Sequence, residues 1–181
     1  MVSRTTERVT PFSFEHMYRA GSVAEVFEAY WDPTHQIEQD RRLEIVERTV
    51  LEHDETGDQV RRVSRIVPRR QLPALVRPLV SGPLHYIETL RWRRADDEID
   101  VENRPSFLRG KARITALYRL SRAGNGLIRR SYSGAVAVDV ALISSRIERG
   151  IVAEYERSLP LAAAWTQDWL DRGDRSLSAR A

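Results

Sequence analysis

A chain of 181 residues, 41% apolar and 30% charged, has the length and balance of one globular domain with its own core. It has no cysteine, which excludes disulfides and thiolate metal sites, and no run of about 18 apolar residues that would span a membrane. The net charge of +3, with acids and bases interleaved, is too small and too evenly spread to point to nucleic acid.

The first ten residues, MVSRTTERVT, lack the apolar centre of a signal peptide, so a cytoplasmic location is the default expectation. Val9 to Tyr18 alternates, with Phe12, Phe14, His16 and Tyr18 on one face and Ser13 and Glu15 on the other, which predicts a strand. Ser22-Val-Ala-Glu25 is a capping box, and Val23, Val26, Phe27, Tyr30 and Trp31 form an apolar stripe at helical spacing. Asp32-Pro33 ends that helix, because the residue before proline is pushed out of the helical region. His35 to Arg42 is polar and reads as a short helix or a loop.

A run of strands follows. Leu43 to His53 is rich in Ile, Val and Thr, and Asp54 to Gly57 is a turn signal. Val60 to Val67 alternates arginine with apolar residues. Pro68 to Pro83 carries four prolines and reads as a helical turn or flap rather than a strand. Leu84 to Arg94 places Leu84, Tyr86, Glu88, Leu90 and Trp92 on one face. Ala95 to Asp97 turns into a short strand, Glu98 to Asn103, and Pro105 to Gly110 breaks the chain again. Ala112 to Leu120 alternates with Ala112, Ile114, Ala116, Tyr118 and Leu120 together. Gly124-Asn-Gly126 is a hairpin turn, because these residues tolerate positive φ. Leu127 to Val138 is the last strand.

Val140 to Leu170 is a long amphipathic helix. Its stripe runs Ile143, Ile147, Ile151, Tyr155, Leu159, Ala162, Trp165 or Thr166, and Trp169. Pro160 should kink it, Gly173 should stop it, and residues 173–181 should form a flexible tail. The core of the domain is expected over about 8–172.

The order of elements is strand, helix, about six antiparallel strands and a long helix. Such a sheet hides one face under helices, and a curved sheet gripping one helix leaves a cavity at its mouth. The strand Phe12–Tyr18 followed by Ser22-Val-Ala-Glu-Val-Phe carries a resemblance. So do Leu72-Pro73 before Gly82-Pro83-Leu84, the Trp92 strand, and Ile143 to Leu170 with Arg146-Ile147-Glu148. Together they resemble the START-like superfamily, and within it the bacterial domain of unknown function 2505. The resemblance spans nearly the whole chain. It implies an α+β helix-grip fold, a curved antiparallel sheet of six to seven strands around a C-terminal helix, with a hydrophobic cavity between them. The first half of that helix, around Ile143, Ile147 and Ile151, should pack tightly, and the cavity should open around Tyr155, Leu159 and Trp165.

The inward faces supply the candidate lining: Phe14, His16, Tyr86, Glu88, Leu90, Trp92, Ile114, Tyr118, Tyr132, Tyr155 and Trp165. Amphipathic aromatics suit an apolar ligand with a few polar atoms, although the same residues can pack together as plain core. His16 is either a hydrogen-bonding hook in the cavity or a satisfied structural histidine. Glu88 is read at the rim of the sheet; if it faces inward, it needs a basic partner or a raised pKa. The run Arg61, Arg62, Arg65, Arg69 and Arg70 reads chiefly as the wet face of a strand, and it lacks the interleaved aromatics of a single-strand binder.

No catalytic residue is assigned, since the chain has no cysteine, no G-x-S-x-G and no S-x-x-K. No metal or cofactor is assigned either, since no two of the four histidines stand at ligand spacing. The expected partner is a hydrophobic small molecule or lipid. The alternatives are a protein-interaction domain and, behind it, a cyclase or aromatase type of enzyme.

Overall fold

The computed structural model describes residues 9–69, 84–106, 110–140 and 143–178, with side chains described to Gly173. In chain order the elements are β1 (Val9–Arg19), α1 (Val23–Trp31), α2 (Pro33–Arg42), β2 (Ile45–Thr56), β3 (Gln59–Pro68), β4 (Tyr86–Arg93), β5 (Glu98–Pro105), β6 (Ala112–Gly124), β7 (Leu127–Val138) and α3 (Ser144–Ser178). A single 3-10 turn, Arg94–Asp96, joins β4 to β5.

The strands form one seven-stranded sheet in the order β1-β7-β6-β5-β4-β3-β2, antiparallel throughout. The chain crosses from one edge, β1, to the other, β2, through α1 and α2. It then returns strand by strand until β7 pairs with β1. This is an α+β helix-grip fold.

The capping signals have structural counterparts. Ser22 Oγ accepts from the Glu25 N–H at 3.1 Å, and the Glu25 carboxylate reaches back to the Gly21 N–H at 2.7 Å. Asp32 does double duty. It ends α1, and its Oδ1 accepts from the N–H groups of Thr34 and His35, both at 2.8 Å, capping α2, with Pro33 in the first turn. The ambiguous stretch after Asp32 is therefore a helix. Register irregularities at Ile45/Glu47 and Val50/Glu52 mark bulges in β2, which bend and twist that edge. Gly134 in β7 is dictated by close approach: a Cβ there would lie 2.7 Å from Ala116 Cα and closer still to the Thr115 carbonyl.

The inward faces of β1, β4 and β6 are the expected ones. Phe12, Tyr18, Leu90, Ile114, Tyr118 and Leu120 are buried, with Ile99, Val101, Ile128, Tyr132 and Val136 beside them. The helix α3 packs chiefly along β1 and β7 and against α1 and α2. Glu148 fixes its start. This carboxylate, 2% exposed, accepts from the Val138 N–H at 3.0 Å and the Thr10 hydroxyl at 2.6 Å.

Several boundaries move. Asp54 to Thr56 belong to β2, and the hairpin turns at Gly57 instead, whose φ is +59°. α3 continues through Pro160, which sits on its exposed side, and it runs past Gly173 to Ser178. The Pro68–Pro83 segment lies outside the described residues beyond Arg69. Among the described residues no helix is long and apolar enough to cross a membrane.

Candidate functional site

Because α3 lies toward the β1 and β7 side, the concave face of β3 to β6 stays partly uncovered. A cavity of about 810 Å³ opens there. The inward stripe of α3 forms its roof, running from Ile147 through Ile151, Tyr155 and Leu159 to Ala162 and Thr166. The cavity thus follows both halves of the helix. The expected contrast between a tightly packed first half and an open second half does not hold, because one face of a straight stripe presents every turn to the same space.

Six of the eleven expected lining residues surround this cavity: Tyr86, Glu88, Ile114, Tyr118, Tyr132 and Tyr155. The other five do not. Phe14 packs against the core beside Phe12, and Leu90 is fully buried within the core cluster. Trp92 stacks on Phe27 and Trp31, away from the cavity. Trp165 points to α2, against His35, and Thr166 takes the inward position in its place. His16 Nδ1 accepts from Arg130 Nη2 at 2.8 Å, under the Leu159 carbonyl that the same guanidinium binds at 3.2 Å. Burial first, then the Arg130 charge, lowers the His16 pKa from 6.5 to about 4. That is the satisfied structural histidine, not a cavity hook.

The cavity has a polar pole where β2 and β4 face it. Arg48, from the inward side of β2, donates Nε and Nη2 to the two Asp40 oxygens at 2.8 and 3.0 Å, and Nη1 to Glu88 Oε1 at 2.8 Å. Glu88 is therefore not a rim residue; it faces inward and has the basic partner that such a carboxylate requires. Burial opposes the Arg48 charge, but Glu88 and Asp40 outweigh it and hold the guanidinium pKa above its ordinary value. Two phenols share this pole. Burial, reinforced by the Glu88 charge, pushes the Tyr30 pKa up to about 12 and raises that of Tyr86 too. Both stay protonated near neutral pH and can donate.

Beside this pole, on β5 directly opposite Glu88 in the sheet register, Asn103 Nδ2 donates to Tyr155 Oη at 3.2 Å. The Asn103 Oδ1 is buried with no hydrogen-bond partner, an acceptor left over beside an open space. The remaining surface is largely apolar, with Leu43, Ile45, Leu84, Val101 and Pro105 among its contributors.

Arg48, Asp40, Tyr30 and Asn103 are absent from the sequence-derived set. Asn103 was open to the alternation rule, since it continues the inward series Ile99, Val101. Arg48 was not, because bulges in β2 break its parity. His35, the most buried histidine at 1% exposure, was also missed. Its Nε2 lies 3.2 Å from Thr166 Oγ1, whose hydroxyl donates to the Ala162 carbonyl, so His35 is a donor bolting α2 to α3. Of the arginine run, Arg61 pairs with Glu52 and Arg65 with Glu47 on the exposed face, as a wet face requires. Arg62 points inward. Among the described residues no cluster of His, Asp and Glu is arranged to hold a metal ion.

The profile of the family described as Protein of unknown function (DUF2505) matches residues 13–170. The chain belongs to that family. No curated protein matches the sequence. Solved structures share the fold at low identity. ZhuI aromatase/cyclase from Streptomyces sp. R1128 is 10% identical with a TM-score of 0.66, covering 91% of this chain and 95% of its own. TTHA0849 from Thermus thermophilus is 11% identical at 0.61, covering 91% and 99%. Ara h 8.0201 is 10% identical at 0.58, covering 89% and 99%. At such identities the likeness establishes the helix-grip fold and no activity.

Proposed function

We propose that this member of the family is a binding module that holds a hydrophobic small molecule or lipid between the sheet and α3. The observation that carries the reading is the cavity of about 810 Å³, which is in the size range of ligand sites and is apolar with a few convergent polar groups. An apolar body would lie along Ile114, Ile147, Ile151 and Leu159. A polar head would meet the Glu88–Arg48 pair and the phenols of Tyr30 and Tyr86, and a donor group would meet Asn103 Oδ1.

The test is organic extraction and mass spectrometry of the purified protein, together with titration of an apolar fluorescent probe. A co-purifying apolar compound that the probe displaces is expected. Ala162, which is buried and lines the cavity, is the place to fill it, and Ala162→Phe should abolish uptake in a folded protein. Uptake that survives this variant would refute the reading.

Glu88 and the two protonated phenols converging in one cavity favour a second reading, acid–base catalysis of the cyclase or aromatase type. In that case Glu88→Gln should retain the bound compound and lose its conversion. Equal conversion by both proteins would remove the reading.

A further inference from the structure

A second recess of about 670 Å³ lies on the same concave face, floored by β2, β3 and β4 and walled by the end of α1 and one side of α2. Arg48 and Gln36 stand between the two spaces and face both, whereas Glu88 lines only the first and Asp40 only the second. We propose that this recess is a separate binding site for a small anion with an apolar body, an aromatic carboxylate being the simplest case.

The hydrogen-bond inventory of the recess is lopsided. Its acids are engaged. Asp40 accepts from Arg48, Glu55 from Arg94 at 2.9 Å, and Glu47 from Arg65 at 3.2 Å and Thr49 at 2.8 Å. His53 Nε2 lies 3.2 Å from the Glu55 carboxylate as well. Its donors are in surplus. Arg62 is 9% exposed, and its guanidinium lies 4.4 Å from the centre of the Trp31 ring. Nη2 donates to Gln36 Oε1 at 3.0 Å, while Nε is buried without a partner. Among the described residues no carboxylate comes within ion-pair distance of it. Burial pushes the Arg62 pKa below its ordinary value, as expected of a cation without a contacting countercharge.

The indole N–H groups of Trp31 and Trp92 are also buried without partners, on rings stacked 5.5 Å apart. Three orphaned donors thus sit on touching residues that line one recess. Buried donors are ordinarily satisfied, and a guanidinium fork matches a carboxylate. Ile37, Val46 and Val50 are 55%, 60% and 52% exposed and offer an apolar wall to the body of such a molecule.

Nuclear magnetic resonance of the indole N–H groups separates the two sites, because the described lining of the larger cavity contains no tryptophan. The 15N-labelled full chain would be titrated with 2-naphthoate and with 2-naphthalenemethanol, a neutral molecule of similar shape. Naphthoate should move the Trp31 and Trp92 cross-peaks saturably and bind about ten-fold more tightly than the alcohol, the scale of one charge-assisted contact. Arg62→Gln should erase that preference. The wild-type comparison stands on its own if this variant does not fold. Unmoved indoles, equal affinity for the two probes, or a preference that survives in Arg62→Gln would overturn the site. Shifts confined to residues of the larger cavity would also overturn it, while leaving the proposed cavity function standing.

Discussion

Arg48→Met removes a cation that two inward carboxylates share. The side chains of Arg48, Asp40 and Glu88 are 14%, 12% and 15% exposed, so Asp40 and Glu88 would face each other in a poorly solvated space. Breaking a buried ion pair costs about 3–5 kcal/mol, because an uncompensated charge remains. Residual exposure of each group lets water screen part of that cost, which places the expected loss near the lower end, about 3 kcal/mol. For a chain of this size each kcal/mol shifts Tm by about 2–4 °C, so a fall on the order of 6–12 °C follows. Replacing the whole triad by apolar side chains (Arg48→Met, Asp40→Leu and Glu88→Met together) should recover most of the loss, since no charge is then left unpaired. Urea unfolding followed by circular dichroism, with the slope checked for constancy, measures both variants. A single variant that costs under about 1 kcal/mol, or a triple variant as unstable as the single, would refute the reasoning.

Gly134→Ala should be severely destabilising, by about 3 kcal/mol or more, because the new methyl overlaps backbone atoms of β6 that cannot move without breaking the sheet; thermal melts would show it. Gly150→Ala should do the reverse: its Cβ meets nothing within 4 Å, and a mid-helix glycine costs about 0.5–1 kcal/mol relative to alanine, so Tm should rise. His16 holds its proton less tightly in the folded state, about 4 against 6.5. Its contribution to stability is therefore complete above about pH 6.5 and declines as pH falls toward 4, where it levels off. His16→Gln should flatten that part of the stability profile, and an imidazole titrating near 6.5 in the folded protein would contradict the assignment.

Much of the architecture was legible because it rests on local rules. Alternation in Phe12 to Tyr18, Tyr86 to Trp92 and Ala112 to Leu120 reports which side of a strand faces the core, since side chains alternate with a period of two. Ser22, Asp32 and Gly126 mark where elements start and stop. The polar stretch after Pro33 is a helix because Asp32, read from the sequence only as a stop, also caps it.

The larger cavity was the part the resemblance implied, but its membership followed from packing. Tyr86, Glu88 and Tyr155 could be proposed from strand parity and the helical stripe. Arg48 could not, because the bulges of β2 shift parity just where that strand turns inward. Trp165 or Thr166 fits the helical stripe, and the expected lining names Trp165 where the structure has Thr166. The choice between them depends on how α3 is rotated, and the contact of His35 with Thr166, 131 positions apart in the chain, bears on that.

Taken alone, the amino-acid order determined most of the elements and the inward faces of β1, β4 and β6, since each depends on neighbours a few residues apart, while the family fold was what the resemblance implied. Tertiary structure alone decided that Glu88 has a guanidinium partner, that His16 is spent on Arg130, and that Arg62 lies beside two unpartnered indoles. Those facts depend on which strand, from which edge, meets which helix across the concave face. No spacing along the chain encodes that distance.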